Sequence, residues 1–366
     1  MKLKGVQMLR FAAAMLVAVM HISQAIAEHL TPGQGGPAYW ASGSAGVDLF
    51  FVISGFVLAS ATPDAMGPPA QRWRLARDFL LRRVLRVVPL YFFYTGLKVA
   101  LLLATPGMAR RTTLDGPHLL ASLLFVPWTS PWGAVEPVLP AGWTLNFEVL
   151  FYAVFAVAIG WGLPRLAWCV GVLGAGRLAA WLWPGWTALD FWGSSIALEF
   201  ALGMALARGW QRRPILPPEV GVLALCLGGV MMFSLPWQPD EDRLLSWGLP
   251  ATLIVAGAVW LEPWAARLKA AAALAFLGDA SYSIYLSHTF VVPAVVRACG
   301  ALGIDQPALA GLLAVGLVML VGSLSYVILE RPLTLGLQRR LMGTRPGQGA
   351  ASILHNKPTP GHLHAP

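Results

Sequence analysis

Runs of about 20 mostly apolar residues recur along this chain, and each is long enough to cross the roughly 30 Å hydrocarbon core of a bilayer as a helix. Ten such runs are visible, at 6–28, 43–61, 84–104, 142–161, 164–182, 190–207, 219–236, 244–261, 272–295 and 307–329. A further apolar run, His118–Val126, is too short to span and is predicted to be an interfacial or re-entrant piece. The pattern predicts an all-α, polytopic integral membrane protein with about ten transmembrane helices.

The charges of the chain support this class and give it an orientation. Charged residues make up 12% of the sequence and hydrophobic residues 57%, whereas soluble domains carry about 25% charge. A soluble enzyme, a disordered chain and a disulfide scaffold are therefore excluded. If both termini are cytoplasmic, nineteen of the 26 Lys and Arg residues fall inside and four outside, as the positive-inside rule requires. The net charge of +9 thus serves membrane anchoring, and no nucleic-acid partner is predicted.

The apolar runs and the composition divide the chain into two regions. Residues 1–340 form one transmembrane domain, and residues 341–366, rich in Pro, Gly and His, are predicted to be a flexible cytoplasmic tail. The three cysteines are widely separated, so neither a disulfide framework nor a metal site is expected.

Ionisable side chains inside predicted spans mark candidate functional positions, because lipid makes them costly. Arg10 and His21 are separated by ten residues, which puts them on one face of a helix about 16 Å apart. His21 could act as a general base if a carboxylate orients it, and Asp48 and Glu148 lie at similar depth. Alternatively, His21 is a buried histidine that forms a hydrogen bond with a neighbouring group and has a purely structural role.

Other polar positions allow two interpretations each. Arg83 and Arg86 lie on adjacent helical positions and could bind phosphate, or they could anchor the span at the membrane surface. Trp143 suits an interfacial position as well as a substrate site. His288 could make a helix-packing hydrogen bond or line a pocket.

Six motifs follow one another along the chain: the Arg–His pair of the first span, Gly46–Phe56, Arg83–Tyr91, Trp143–Tyr152, Leu277–His288 and Glu330–Pro332. In this order they resemble the integral-membrane acyltransferase family 3, in particular its branch of exopolysaccharide O-acetyltransferases. Each motif is weak alone, and together they extend over residues 5–332.

The resemblance implies a membrane-bound acyltransferase that moves an acyl group, by default acetyl, from cytoplasmic acyl-CoA to a hydroxyl of a cell-surface or exported carbohydrate. It implies a multi-pass protein of the bacterial inner membrane. His21, Glu148 and Asp48 are the expected catalytic residues. Arg10, Arg83 and Arg86 would hold the donor, and Trp143 and His288 the acceptor. No permanently bound cofactor or metal is expected beyond the acyl-CoA substrate.

Two other functional classes remain open from the sequence. Ten spans with buried charges would also suit a transporter or exporter of a saccharide, although no internal repeat is visible. A structural scaffold for polysaccharide assembly would tolerate the loss of His21, Arg83 and Glu148. The acyl chain, the glycan and its modified hydroxyl are left open, as is assembly into a homo-oligomer.

Overall fold

Helices account for nearly all regular structure in the computed structural model, which describes residues 3–31, 40–62, 67–104, 114–212, 217–234 and 243–343. Within these ranges the one β-type pairing is an isolated bridge between Thr129 and Val135, so the all-α prediction is confirmed. The predicted tail lies outside the described residues from 344 onward.

The α-helices, in chain order, are α1 (Lys4–His29), α2 (Gly46–Ala61), α3 (Pro69–Ala104), α4 (Gly116–Leu123), α5 (Trp143–Trp161), α6 (Arg165–Leu182), α7 (Thr187–Trp192), α8 (Glu199–Gln211), α9 (Pro218–Ser234), α10 (Leu249–Trp260), α11 (Glu262–Ala265), α12 (Ala271–Asp279), α13 (Ser281–Ala301), α14 (Pro307–Ser325) and α15 (Arg331–Met342). Short 3₁₀ turns lie at Ala41–Ala45, Pro140–Gly142 and Ser195–Leu198, and π-helical segments at Leu244–Gly248 and Tyr326–Glu330.

Six helical segments among the described residues are long and apolar enough to cross a membrane, by length and composition. They are Lys4–His29, Ala41–Ala61, Pro69–Ala104, Pro140–Trp161, Ser281–Ala301 and Pro307–Met342. Two shorter apolar helices follow at Pro218–Ser234 and Leu244–Trp260. These segments indicate a multi-pass membrane protein; the count of ten and the sidedness of the termini stay predictions.

Two predicted continuous spans are broken in the structure. The run 190–207 is divided between α7 and α8, because the chain turns at Gly193 and Ser194 is extended. Gly193 approaches the carbonyl oxygen of Gly176 so closely that a Cβ would lie 2.7 Å from it. The run 272–295 is interrupted at Ala280, between α12 and α13. The break at Gly193 involves the packing of α7 against α6, which the hydropathy pattern does not contain.

Helix α1 packs against α2, α12, α13 and α14 and lies at the centre of the bundle. Its first backbone N–H groups are capped by the Glu262 carboxylate, which accepts hydrogen bonds of 2.7 Å from the N–H of Lys4 and of Gly5. A carboxylate suits this position because a helix N-terminus carries unpaired N–H groups and partial positive charge. We call this the Lys4 end of the bundle and the opposite one the His29 end.

Helices α2 and α8 approach each other at two glycines. A Cβ on Gly55 would overlap the carbonyl oxygen of Phe200, and a Cβ on Gly203 would overlap that of Val52. Small residues at such positions allow helix backbones to pack closely, as is common in membrane proteins. The contact fixes α2, which carries Asp48 and Phe50, relative to its neighbours.

Candidate active site

A cavity of about 150 Å³ opens between α1, α2, α3, α5 and α13. Its polar lining consists of Gln7, Arg10, Ser54, Arg83, Arg86, Thr144, Glu148, Tyr152, Ser281, Tyr282 and Tyr285. Its apolar lining consists of Val47, Phe50, Phe51, Ile53, Val57, Leu58, Val87 and Leu145. The cavity therefore combines a charged region with an apolar wall contributed mainly by α2.

Three guanidinium groups line this cavity with one carboxylate. Arg83 and Arg86 lie three residues apart on α3. Arg10 comes from α1, where its Nη1 donates to Gln7 Oε1 at 3.3 Å. The Arg83 guanidinium lies 5.7 Å from the centre of the Phe79 ring, and its Nε has no acceptor among the described residues. Guanidinium groups hold phosphate through paired hydrogen bonds. The predicted donor-binding residues are thus brought together from two helices.

Glu148 is the carboxylate in that lining, and it is already engaged. The Tyr152 hydroxyl, one helical turn further along α5, donates a hydrogen bond to it. Two more carboxylates, Glu330 and Asp279, lie within electrostatic range of Arg10. Glu330 is buried and accepts a 2.6 Å hydrogen bond from Ser283 Oγ. These acids offset part of the positive charge of the arginines.

Asp48 lies outside the cavity lining and pairs with Arg243. Arg243 Nε and Nη2 donate to the two Asp48 carboxylate oxygens at 2.8 Å each, and Nη2 also donates to the Ser44 carbonyl. The guanidinium lies 4.8 Å from the Trp247 ring centre and 5.7 Å from that of Trp143. The two residues are 195 positions apart, so the sequence alone carries no signal for this pair.

Glu199 completes this cluster. It is fully buried at the start of α8, and neither carboxylate oxygen has a hydrogen-bond partner in the described part of the chain. It lies within electrostatic range of Asp48 and Arg243. The position of Glu199 inside a predicted span was a signal for a buried acid, but nothing local indicated which cation it would approach.

His21 stacks on His288. The two ring centres are 5.1 Å apart and the planes are inclined by 28°. The expected partners of His21 were Asp48 or Glu148, and the structure engages those carboxylates with Arg243 and Tyr152 instead. This corrects the predicted arrangement: the group beside His21 is a second imidazole, supplied by the motif Leu277–His288.

Tyr285 separates the cavity from the histidine pair. On α13, Ser281, Tyr282 and Tyr285 line the cavity, whereas His288, three residues further along, does not. The Tyr285 ring lies 6.0 Å from that of Phe50 and 5.7 Å from that of His288, measured between ring centres. The cavity therefore ends at an aromatic pair, with the histidines beyond it.

The hydroxyl of Tyr285 is held by the turn that precedes α5. It donates to the Ala141 carbonyl at 3.1 Å and accepts from Thr144 Oγ1 at 3.3 Å. The ring that closes the cavity is thus attached to the segment that leads into the motif Trp143–Tyr152.

Trp143 packs against Phe147 and Phe191. Its ring is half-buried, 6.1 Å from the Phe147 ring centre, and it does not line the cavity. Among the described residues no group of three or more His, Cys, Asp or Glu side chains could hold a metal ion.

Comparison with known proteins finds similarity to acyltransferases. A family model described as an acyltransferase domain matches residues 3–328. The exopolysaccharide production protein ExoZ of Rhizobium meliloti is 38% identical over 317 residues, which cover 84% of this chain and 95% of that protein. The acyltransferase MdmB of Streptomyces mycarofaciens is 27% identical over 92% of each chain. No solved structure matches the chain.

Proposed function

We propose that this enzyme, which belongs to the acyltransferase domain family, transfers an acyl group from acyl-CoA to a hydroxyl of a cell-surface or exported carbohydrate. The observation that carries the proposal is the cavity that gathers Arg10, Arg83 and Arg86, with His21 further along the same α1 helix. The similarity to a protein named for exopolysaccharide production supports a carbohydrate acceptor. Acetyl is the acyl group that the family resemblance favours.

The donor would enter from the Lys4 end, which we assign to the cytoplasmic side of a bacterial inner membrane. Phosphate groups of CoA would bind the three guanidinium groups, since charge-assisted, bidentate contacts of this kind are strong. The acyl end would extend along the apolar wall of α2 toward Phe50 and Tyr285. The aromatic pair of Phe50 and Tyr285 must move for the thioester to reach the histidines. Donor binding is therefore coupled to the opening of this pair.

The chemistry would be a direct acyl transfer. His21 accepts the proton of the carbohydrate hydroxyl while its oxygen attacks the thioester carbonyl carbon. The C–S bond then breaks, the imidazolium returns the proton to the CoA thiolate, and an ester and free CoA thiol are released. Backbone or hydroxyl donors would stabilise the oxyanion of the tetrahedral intermediate.

Glu148 and Asp48, which the sequence predicted to be catalytic, would instead position other groups in this scheme. Glu148, bonded to Tyr152, would hold the cationic wall of the donor site. Asp48, bonded to Arg243, would fix the Trp143 side of the acceptor site. Neither would need to receive a proton from His21.

Purified enzyme in lipid nanodiscs provides the test. Labelled acetyl-CoA and polysaccharide isolated from cells that lack the enzyme should yield labelled polysaccharide and one thiol per ester formed. A transporter would instead move saccharide across vesicle membranes without consuming acetyl-CoA, and that result would refute the proposal.

A further inference from the structure

One ring nitrogen of His288 has no assigned role. The side chain is 1% exposed, and its Nδ1 is hydrogen-bonded to the carbonyl oxygen of Tyr285. A carbonyl oxygen only accepts, so Nδ1 must carry the hydrogen. In a neutral imidazole the other nitrogen, Nε2, is then a hydrogen-bond acceptor. The backbone contact therefore fixes the tautomer of His288.

Nε2 of His288 is buried and has no hydrogen-bond partner among the residues that the structure describes. Buried polar atoms without a partner are uncommon because they lose their contact with water and gain nothing in return. A ligand that supplies a hydroxyl group would satisfy this nitrogen.

The position of His288 points to the ligand. Its ring is stacked on that of His21, so the two imidazoles cannot bond to each other through their in-plane nitrogens. Their nitrogens lie in two ring planes inclined by 28°, with ring centres 5.1 Å apart. A molecule that lies against the edges of both rings could offer one hydroxyl to each, and a sugar carries neighbouring hydroxyls that could be divided between the two rings in this way.

We propose that His288 Nε2 accepts a hydrogen bond from the acceptor carbohydrate, from the hydroxyl adjacent to the one that His21 deprotonates. This inference rests on the proposed function and narrows its substrate class to sugars with a vicinal pair of hydroxyls. His288 remains neutral throughout, because a second positive charge beside the His21 imidazolium would be buried without a counter-ion. It binds the acceptor and takes no proton.

Two substitutions separate this role from packing. His288→Phe retains an aromatic ring against His21 and removes the acceptor atom, whereas His288→Gln removes the ring and supplies an amide oxygen. With acetyl-CoA and unacetylated polysaccharide, we expect the Phe variant to lose about tenfold in kcat/KM for the acceptor, the size of one hydrogen bond to a neutral group. Its KM for acetyl-CoA should not change, and the Gln variant should recover much of the loss.

The control is His29→Phe, an exposed histidine at the end of α1, which should behave as the wild type. A Phe variant with wild-type kcat/KM would overturn the inference. Equal losses in the Phe and Gln variants, with a lowered melting temperature, would also overturn it by assigning His288 to packing. Failure of the wild type to consume acetyl-CoA would instead refute the proposed function.

Discussion

Arg243 donates two hydrogen bonds of 2.8 Å to Asp48, a residue that is fully buried and 195 positions away in the sequence. The pair joins the start of α2 to the π-helical segment that leads into α10. Because a buried ion pair leaves an uncompensated charge when one partner is removed, its loss is strongly destabilising, by about 3–5 kcal/mol.

We expect Arg243→Gln to lower the melting temperature of the purified protein, and Asp48→Asn to do so by a similar amount. The double variant should be more stable than the sum of the two single effects predicts. Thermal unfolding in detergent measures this. The matched control is Arg77→Gln, because Arg77 and Asp78 form an exposed pair at 3.3 Å that contributes about 0–1 kcal/mol. If Arg77→Gln lowered the melting temperature as much as Arg243→Gln, this would contradict the assignment of Asp48 and Arg243 as a buried ion pair.

Replacing arginines of the cavity should weaken donor binding. Arg83→Gln or Arg86→Gln removes a charge-assisted contact to phosphate, which is worth about 1.5–3 kcal/mol, so the KM for acetyl-CoA should rise roughly tenfold to a hundredfold. Arg82→Gln, on the same helix but exposed, should leave KM unchanged. Initial rates at varied acetyl-CoA concentration decide the point. An equal effect of all three substitutions would indicate general loss of surface charge.

Tyr285 should limit wasteful hydrolysis of the donor. Tyr285→Phe removes the hydrogen bonds to Ala141 and Thr144, and Tyr285→Ala removes the ring that separates the cavity from the histidines. We expect acetyl-CoA hydrolysis without acceptor to rise in the Phe variant and further in the Ala variant. Tyr94→Phe loses a bond to Ser325 away from the cavity and serves as the control. Unchanged hydrolysis in Tyr285→Ala would show that the ring is no barrier.

The close approach of α2 and α8 predicts a strong effect of a small substitution. Gly55→Ala places a methyl group against the Phe200 carbonyl, and overpacking of this kind costs about 1–3 kcal/mol. Gly96→Ala meets no atom within 4 Å and should be neutral or stabilising by up to about 1 kcal/mol. Thermal unfolding compares the two, and a Gly55→Ala protein as stable as the wild type would be evidence against the packing described.

Much of the fold follows from the sequence because hydropathy is local. Apolar runs predicted helices at the correct places, and helical periodicity put Arg10 and His21 on one continuous helix. The break at Gly193 was missed, because it depends on the approach of α6. Hydropathy assigns residues to a helix, but it carries no information about which other helices pack against that helix.

The candidate site was predictable to the same extent. Arg83 and Arg86 were grouped by their spacing along α3. The His21–His288 and Asp48–Arg243 contacts join residues from opposite parts of the chain, and a single sequence carries no signal for such pairs. The sequence therefore identified four of the eleven polar residues that line the cavity. It did not indicate that Asp48 pairs with Arg243 or that Glu148 bonds to Tyr152.

Substitution of His21 tests the central claim most directly. Purified His21→Ala enzyme in nanodiscs is compared with the wild type by measuring labelled acetyl groups transferred to polysaccharide, with His29→Ala as the control. Loss of a general base lowers rates by about 10²–10⁴-fold, so transfer should fall to about 1% or less while the melting temperature and the donor KM are retained. Transfer at the wild-type rate by a folded His21→Ala protein would contradict the account.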